Sequence, residues 1–308
     1  MSAELNIQYI SHSRIDKTKW DKCVDEAANG LIYGYSFYLD IMSKNWDALV
    51  LDGYDSIMPL TWSKKFGVYY LYQPPFSANL GVFTRGEMSN EAAPETFIEA
   101  IPRKFRLIEI SLNHGNHIHK NLPFVYSRTN YILKLDKDYD SLNKNYRENH
   151  RRNIHKATDM GCTAIKDIPL EEVISLGKQQ MRTKTRINTD DYDRFEKLYS
   201  FLSARHKAVT YGIIGPQRDL LSSCVFFFSH QRAYYILVGN HPRGRNLGCS
   251  HALIDAFIKD HAGKDLVLDF EGSDLEGLAL FYAGFGASPE TYPAIMWNRL
   301  PWPVRWLK

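Results

Sequence analysis

The stretch Leu268-Asp269-Phe270-Glu271-Gly272-Ser273 ends an apolar run on two carboxylates and a glycine. A little further on, Phe281-Tyr282-Ala283-Gly284-Phe285-Gly286 places a phenol on a short helical pattern that breaks at a Gly-Phe-Gly turn. The run from Asp265 to Phe270 predicts a strand, so Glu271 falls at its carboxyl end, where clefts in α/β sheets open. A carboxylate held there can take the proton of an attacking amine as general base. The competing reading is a helix-start acid paired with a basic side chain. Asp269 alternates with Glu271 along the strand and is expected on the same side, with Phe270 on the other.

A second group of residues suits phosphate. Pro242-Arg243-Gly244-Arg245-Asn246-Leu247-Gly248-Cys249-Ser250 reads as a glycine-bearing loop that opens a helix. Unpaired N–H groups and the positive dipole end meet at such a point. Arg243 and Arg245 add the charge that an acidic ligand wants. Asn246, Gly248 and Ser250 complete the candidate loop. A third group is basic: Arg147, Arg151, Arg152 and Lys156, then Lys178, Arg182, Lys184 and Arg186. Members four apart share a helix face and repel one another, so the face is either solvated or meets an anion. Arg147, Arg151, Arg182 and Arg186 are the substrate-binding candidates. Aromatic residues do not interleave with this charge in the way a base-stacking surface requires. His114-x-x-His117-x-His119 reads as a polar connector, because no cysteine or carboxylate stands beside it to complete a metal site.

These groups need elements to hold them. The chain has 308 residues, 44% hydrophobic and 24% charged, with a net charge of +3, which suits two globular domains without staples. Three strand-like runs, Ala48 to Leu51, Ser56 to Trp62 and Val68 to Tyr72, are separated by turn signals. Ala208 to Ile214, Leu220 to Phe228 and Ala233 to Gly239 repeat that layout. A helix with one apolar face follows the second set, over Ser250 to His261. The repeat is one of pattern and not of sequence, and the boundary falls near Leu135. The cysteines Cys23, Cys162, Cys224 and Cys249 have no CxxC spacing and fit buried thiols in a reducing compartment. The first residues lack a signal-peptide pattern. The longest apolar run, Cys224 to Phe228, is far short of the ~20 residues of a membrane helix. A soluble, cytoplasmic protein is therefore expected. Gly-x-Ser-x-Gly, Walker and His-Glu-x-x-His motifs do not occur, which removes support from hydrolase, P-loop and zincin readings.

The strand end and turn resemble those of the Fem-type peptidyltransferases, a branch of the GNAT acyltransferase superfamily, with their Asp-Phe-x-Gly and Phe-Lys-x-x-Phe-Gly patterns. Arg245-x-x-Gly248-x-Ser250 resembles the GNAT pyrophosphate loop. Arg152-Asn153-Ile154-His155-Lys156-Ala157 before Gly161 resembles the start of the second Fem domain. The resemblance implies an α/β fold of mixed sheets in two tandem GNAT-like domains. The first would be 1–134, completed by 292–308, whose Trp297, Trp302, Trp306 and prolines predict extended chain. The second would be 135–291 and would hold the donor. The implied reaction is acyl or aminoacyl transfer to an amine, with acyl-CoA as co-substrate and nothing tightly bound. Backbone N–H groups of Leu237, Val238 and Gly239 would receive the acyl carbonyl. The family's lysine is replaced by Tyr282. A phenol can protonate a leaving thiolate but cannot supply fixed positive charge, which suits a CoA thioester better than a tRNA ester. An aminoacyl-tRNA-dependent peptidoglycan peptidyltransferase and an inactive GNAT-fold binding protein are the alternatives. The acceptor would be a small molecule or a peptidoglycan precursor.

Overall fold

A computed structural model describes residues 7–86, 93–181, 187–272 and 274–302. The fold is α/β with mixed sheets, and the chain divides into two compact units: residues up to Arg128 together with those from Thr291 on, and Thr129–Glu290.

The first unit contains β1 (Gln8–Ile10), α1 (Lys17–Glu26), α2 (Ser36–Met42), β2 (Asn45–Leu51), β3 (Ser56–Lys65), β4 (Val68–Tyr72), β5 (Phe83–Thr84), α3 (Pro94–Ala100) and β6 (Phe105–Ser111). β7 (Val125–Lys134) begins in this unit and continues into the second. β1 to β4 form an antiparallel series, β4 and β6 are parallel, and β5 joins β3. The last strand of the chain, β13 (Ser288–Asn298), closes this sheet: its residues Ala294 to Asn298 run antiparallel to β6. The core gathers Leu49, Met58, Leu60, Leu71, Phe97, Phe105, Ile108 and Ile295.

In the second unit come α4 (Tyr139–Lys144), α5 (Glu148–Asp159), β8 (Thr163–Lys166), α6 (Leu170–Met181), α7 (Thr189–Ser203), β9 (Ala208–Ile214), β10 (Leu220–Ser229), β11 (Arg232–Asn240), α8 (Pro242–Leu247), α9 (Cys249–His261), β12 (Val267–Asp269) and α10 (Glu276–Ala283). Its sheet repeats the plan of the first. β8 to β11 are antiparallel, β11 and β12 parallel, and Ile132 to Lys134 of β7 close it antiparallel to β12.

The apolar run Cys224 to Phe228 is continuous because helices cover both faces of β10. Phe227 stacks on Phe195 of α7 at 5.4 Å, while Phe226 stacks on Phe257 of α9 at 3.7 Å. Burying such a ring contributes roughly 1.5–3 kcal/mol. The apolar face read from α9 is the packed one: Leu253, Ile254, Phe257 and Ile258 are all fully buried. Helix ends follow local chemistry. Asn188 and Asp191 form a capping box at the start of α7. Gly161, at φ 74°, ends α5, and the Cys162 N–H turns back to the Ala157 carbonyl. Among the described residues no helix is long and apolar enough to cross a membrane.

Candidate active site

β11 and β12 pair only from Arg232↔Val267 to Tyr234↔Asp269. β12 ends there, whereas β11 runs on to Asn240, past the end of its parallel partner. β10 stays paired with β11 through this stretch, with a register shift between Ser223 and Val225. On β11 the extra residue shows as Leu237 in the left-handed region, at φ 49°. A bulge of this kind bends a strand and re-aims its groups. Leu237, Val238 and Gly239 lie on the stretch of β11 that extends beyond β12. A Cβ on Gly239 would stand 2.7 Å from the Gly177 nitrogen, so only glycine lets α6 pack this close.

The chain leaves β12 through a buried ionic cluster. Asp269 accepts from Arg232 Nη1 at 2.7 Å, from Asn130 Nδ2 at 2.8 Å and from the Glu271 N–H at 2.9 Å. Arg232 also grips Glu290 with both terminal nitrogens, at 2.9 and 3.0 Å. Burial disfavours the guanidinium charge, but Glu290 and Asp269 outweigh it and raise the Arg232 pKa further. Both oxygens of Asp269 are therefore engaged, and its visible work is to hold the backbone of Glu271.

The strand ends at Asp269, two residues before the predicted alternation would place Glu271. Glu271 instead adopts φ 64°, and the Gly272 N–H donates to Asn130 Oδ1 at 2.6 Å. A left-handed glutamate is a costly conformation, of about 1–3 kcal/mol, and such conformations concentrate at functional sites. Asp269 and Glu271 consequently do not share a strand face, because period-two alternation stops where the strand does.

Tyr282 sits on α10, buried, with its ring on Phe270 at 4.4 Å. Burial, then the charge of Glu271, raise the pKa of its phenol. The phenol therefore keeps its proton at neutral pH. α10 is anchored by α5. The Arg147 N–H donates to the Gly284 carbonyl at 2.8 Å and His150 Nε2 contacts the Phe281 carbonyl at 2.8 Å. A Cβ on Gly284 would lie 2.0 Å from the His150 ring, which explains the first glycine of the turn. His251 of α9 packs against His150 at 4.7 Å between ring centres. Burial lowers the pKa of both imidazoles, that of His251 to about 4 with His150 contributing.

The segment expected as a phosphate loop is mostly helical: α8 occupies Pro242–Leu247, and Gly248 at φ 81° joins it to α9. Pro242 at the first helical position and the capping His241 start this turn. Arg243 pairs with Asp219 at 3.2 Å and Gln217 at 3.0 Å, while Arg245 and Asn246 are exposed. Ser250 Oγ donates to Asn240 Oδ1 at 2.7 Å, and Ser222 donates to the same oxygen at 2.7 Å, so Asn240 ties the start of α9 to the ends of β10 and β11. Arg151 caps α4 through the Asn143 and Lys144 carbonyls and lines a cleft of about 440 Å³ with Lys144 and His155; Arg147 is exposed at the start of α5. Arg182, Arg186, Ser273 and Trp306 lie outside the described residues. His114, His117 and His119 line a cleft of about 540 Å³ in the first unit with Lys120, Tyr126 and Tyr292.

Four polar residues of the site escaped the sequence reading: Arg232, Asn130, Glu290 and Asn240. Arg232, Asn130 and Glu290 meet partners from 37 to 160 residues away, and Asn240 meets Ser250 and Ser222 across a turn of the chain at no motif spacing, so spacing carried no signal of them.

No protein-family model and no curated protein matches the chain. Solved structures do. FemX superposes over 98% of this chain and 99% of its own, with a TM-score of 0.64 at 14% identity. The fold is that of FemX. L-PGS from Bacillus licheniformis matches 95% of each chain with a TM-score of 0.55 at 12% identity. A conserved protein of unknown function from Bacteroides thetaiotaomicron VPI-5482 covers 94% of this chain and 100% of its own, with a TM-score of 0.50 at 11% identity. The α/β fold of mixed sheets that the strand-end and turn motifs implied is present. At such identities the likeness concerns the path of the chain, not its chemistry.

Proposed function

We propose that the protein is an acyltransferase that passes an acyl or aminoacyl group to an amine where β11 runs on past the end of β12. The observation that carries this reading is the stretch of β11 that runs on past the end of β12, with a bulge at Leu237 and a left-handed glutamate where the chain leaves β12. The acyl chain lies along this stretch of β11, and its carbonyl meets N–H groups of Leu237 to Gly239, which stabilise the oxyanion as it forms. Glu271 takes the proton of the attacking amine. The new C–N bond forms as the C–S bond of the donor thioester breaks, and the leaving thiolate takes the proton of Tyr282. Asp269, fixed by Arg232, sets the backbone that carries Glu271. The exposed Arg245 and the start of α9 receive the donor's phosphates.

The donor is acyl-CoA in this reading, because Tyr282 offers a proton but no fixed charge. The acceptor is a small amine or a peptidoglycan precursor, and its anionic part meets Arg147 and Arg151. The compartment is the cytoplasm, which suits four free, buried thiols. A second reading, aminoacyl-tRNA-dependent transfer, is favoured by one observation: the FemX fold extends over nearly the whole of both chains. Isothermal titration with acyl-CoA, beside filter binding of aminoacyl-tRNA, separates the two. Acyl-CoA binding with thiol release on adding amines is expected. Binding of tRNA alone would replace the first reading by the second, and binding of neither would make the chain an inactive member of this fold.

A further inference from the structure

Three arginines crowd one end of the first-unit sheet. Arg106 lies in β6, Arg103 just before it, and Arg299 just after β13, with the Arg299 N–H donating to the Arg106 carbonyl at 2.7 Å. The guanidinium of Arg299 lies 3.5 Å from the Trp297 ring centre, and Trp297 stacks in turn on Phe124 at 3.9 Å and 3°. Its Nη1 donates to the Ile101 carbonyl at 3.1 Å. That stack fixes Arg299 in place and leaves it half-buried. Arg103 and Arg106 are exposed.

Among the described residues no carboxylate pairs with any of the three. Burial first, then Arg103 and Arg106, bring the Arg299 pKa down to about 10. A guanidinium loses basicity only where positive charge is concentrated and poorly solvated. By contrast Lys104, next to Arg103 in sequence, has Asp47 at 3.8 Å. Like charges held together without an acid are relieved by an external anion, and arginine offers phosphate a planar set of donors.

Trp302 follows Arg299 by three residues and is 86% exposed. Three residues of chain span at most about 11 Å, so Trp302 lies within that reach of Arg299 along the chain. An exposed tryptophan next to exposed arginines suits the headgroup region of a bilayer, where the ring enters the interface and the cations meet lipid phosphates. We propose that Arg103, Arg106, Arg299 and Trp302 form a docking surface for an anionic lipid bilayer. This surface is independent of the acyl-transfer reading. It would hold the protein at a membrane as a peripheral protein, whatever reaction the second unit performs.

Co-sedimentation of the full chain with vesicles tests it. Binding is expected to phosphatidylglycerol-rich vesicles, to weaken with salt, and to be absent with pure phosphatidylcholine. Each surface arginine contributes about fivefold to such binding, so R103A/R106A should lower affinity about 30-fold. Both side chains are exposed, so the variant should melt like the wild type. Trp302→Ala should weaken binding with the charges intact. Equal binding of wild type and R103A/R106A would overturn the proposal. So would capture of inorganic phosphate or an oligonucleotide by these arginines with no affinity for the vesicles, since the site would then serve a soluble anion.

Discussion

Glu271 and Tyr282 carry the proposed chemistry, and each can be removed without disturbing the packing around it. Glu271→Gln keeps size and hydrogen-bonding capacity but cannot accept the amine proton. Turnover should fall by about 10²–10⁴, the usual contribution of a general base, with an unchanged circular dichroism spectrum. Tyr282→Phe keeps the stack on Phe270 and should cost less, because water can protonate a leaving thiolate. Steady-state thiol release measures both, and full turnover in Glu271→Gln would remove that residue from the role. Arg232 belongs to the same scale but has a different role. Its side chain is buried between Asp269 and Glu290, so Arg232→Met leaves two buried carboxylates without their cation. Urea unfolding should show a loss of about 3–5 kcal/mol. The lesson for Asp269 is physical: a carboxylate read from its position along a strand looks like a second catalytic acid, but the residues that engage it come from distant strands.

At the scale of elements, the site is held by the packing of α5, α9 and α10. His150, His251, Phe281 and Phe285 form the aromatic contact among them. In the unfolded chain an imidazole titrates near 6.5, whereas burial keeps His251 at about 4 in the native state. Between those values the unfolded chain binds a proton that the native protein refuses. Stability from this group is therefore complete above about pH 6.5 and is lost as pH falls toward and through 4. Thermal melts across that window should show a steeper acid decline for wild type than for His251→Phe; parallel curves would exclude the imidazole as the cause. Gly248 links α8 to α9 at φ 81°, and a Cβ there would lie 2.3 Å from the Asn153 carbonyl oxygen on α5. Gly248→Ala should cost about 2 kcal/mol or more, read from denaturant midpoints.

On the scale of the molecule, each unit closes its sheet with a strand that follows the other unit in sequence: β13 on β6, and the latter part of β7 on β12. The second unit is nonetheless continuous along the chain and has its own core around Phe226, Phe257 and Leu268. A fragment of residues 129–290 is therefore expected to unfold in one cooperative transition and to match the full chain in titrations with acyl-CoA. Calorimetry and titration of that fragment check both. A fragment without a cooperative melt would show that the second unit depends on the rest of the chain.

Much of the architecture was legible in the residues. Both meanders, the amphipathic α9, the end of α5 at Gly161 and the Gly-Phe-Gly break after α10 follow from local rules of periodicity, turn chemistry and glycine freedom, which depend on neighbours along the chain. The FemX-like fold was legible for the same reason, through short motifs at strand and helix ends. The loop expected before α9 is largely helix, because a proline at the first position and a capping histidine outweigh the glycines. The left-handed Glu271, the Arg232–Asp269–Glu290 cluster, the Asn240 tie and the lowered histidines were decided only in three dimensions. Burial and ionic partnership are properties of groups brought together from remote positions, and one-dimensional spacing does not encode them.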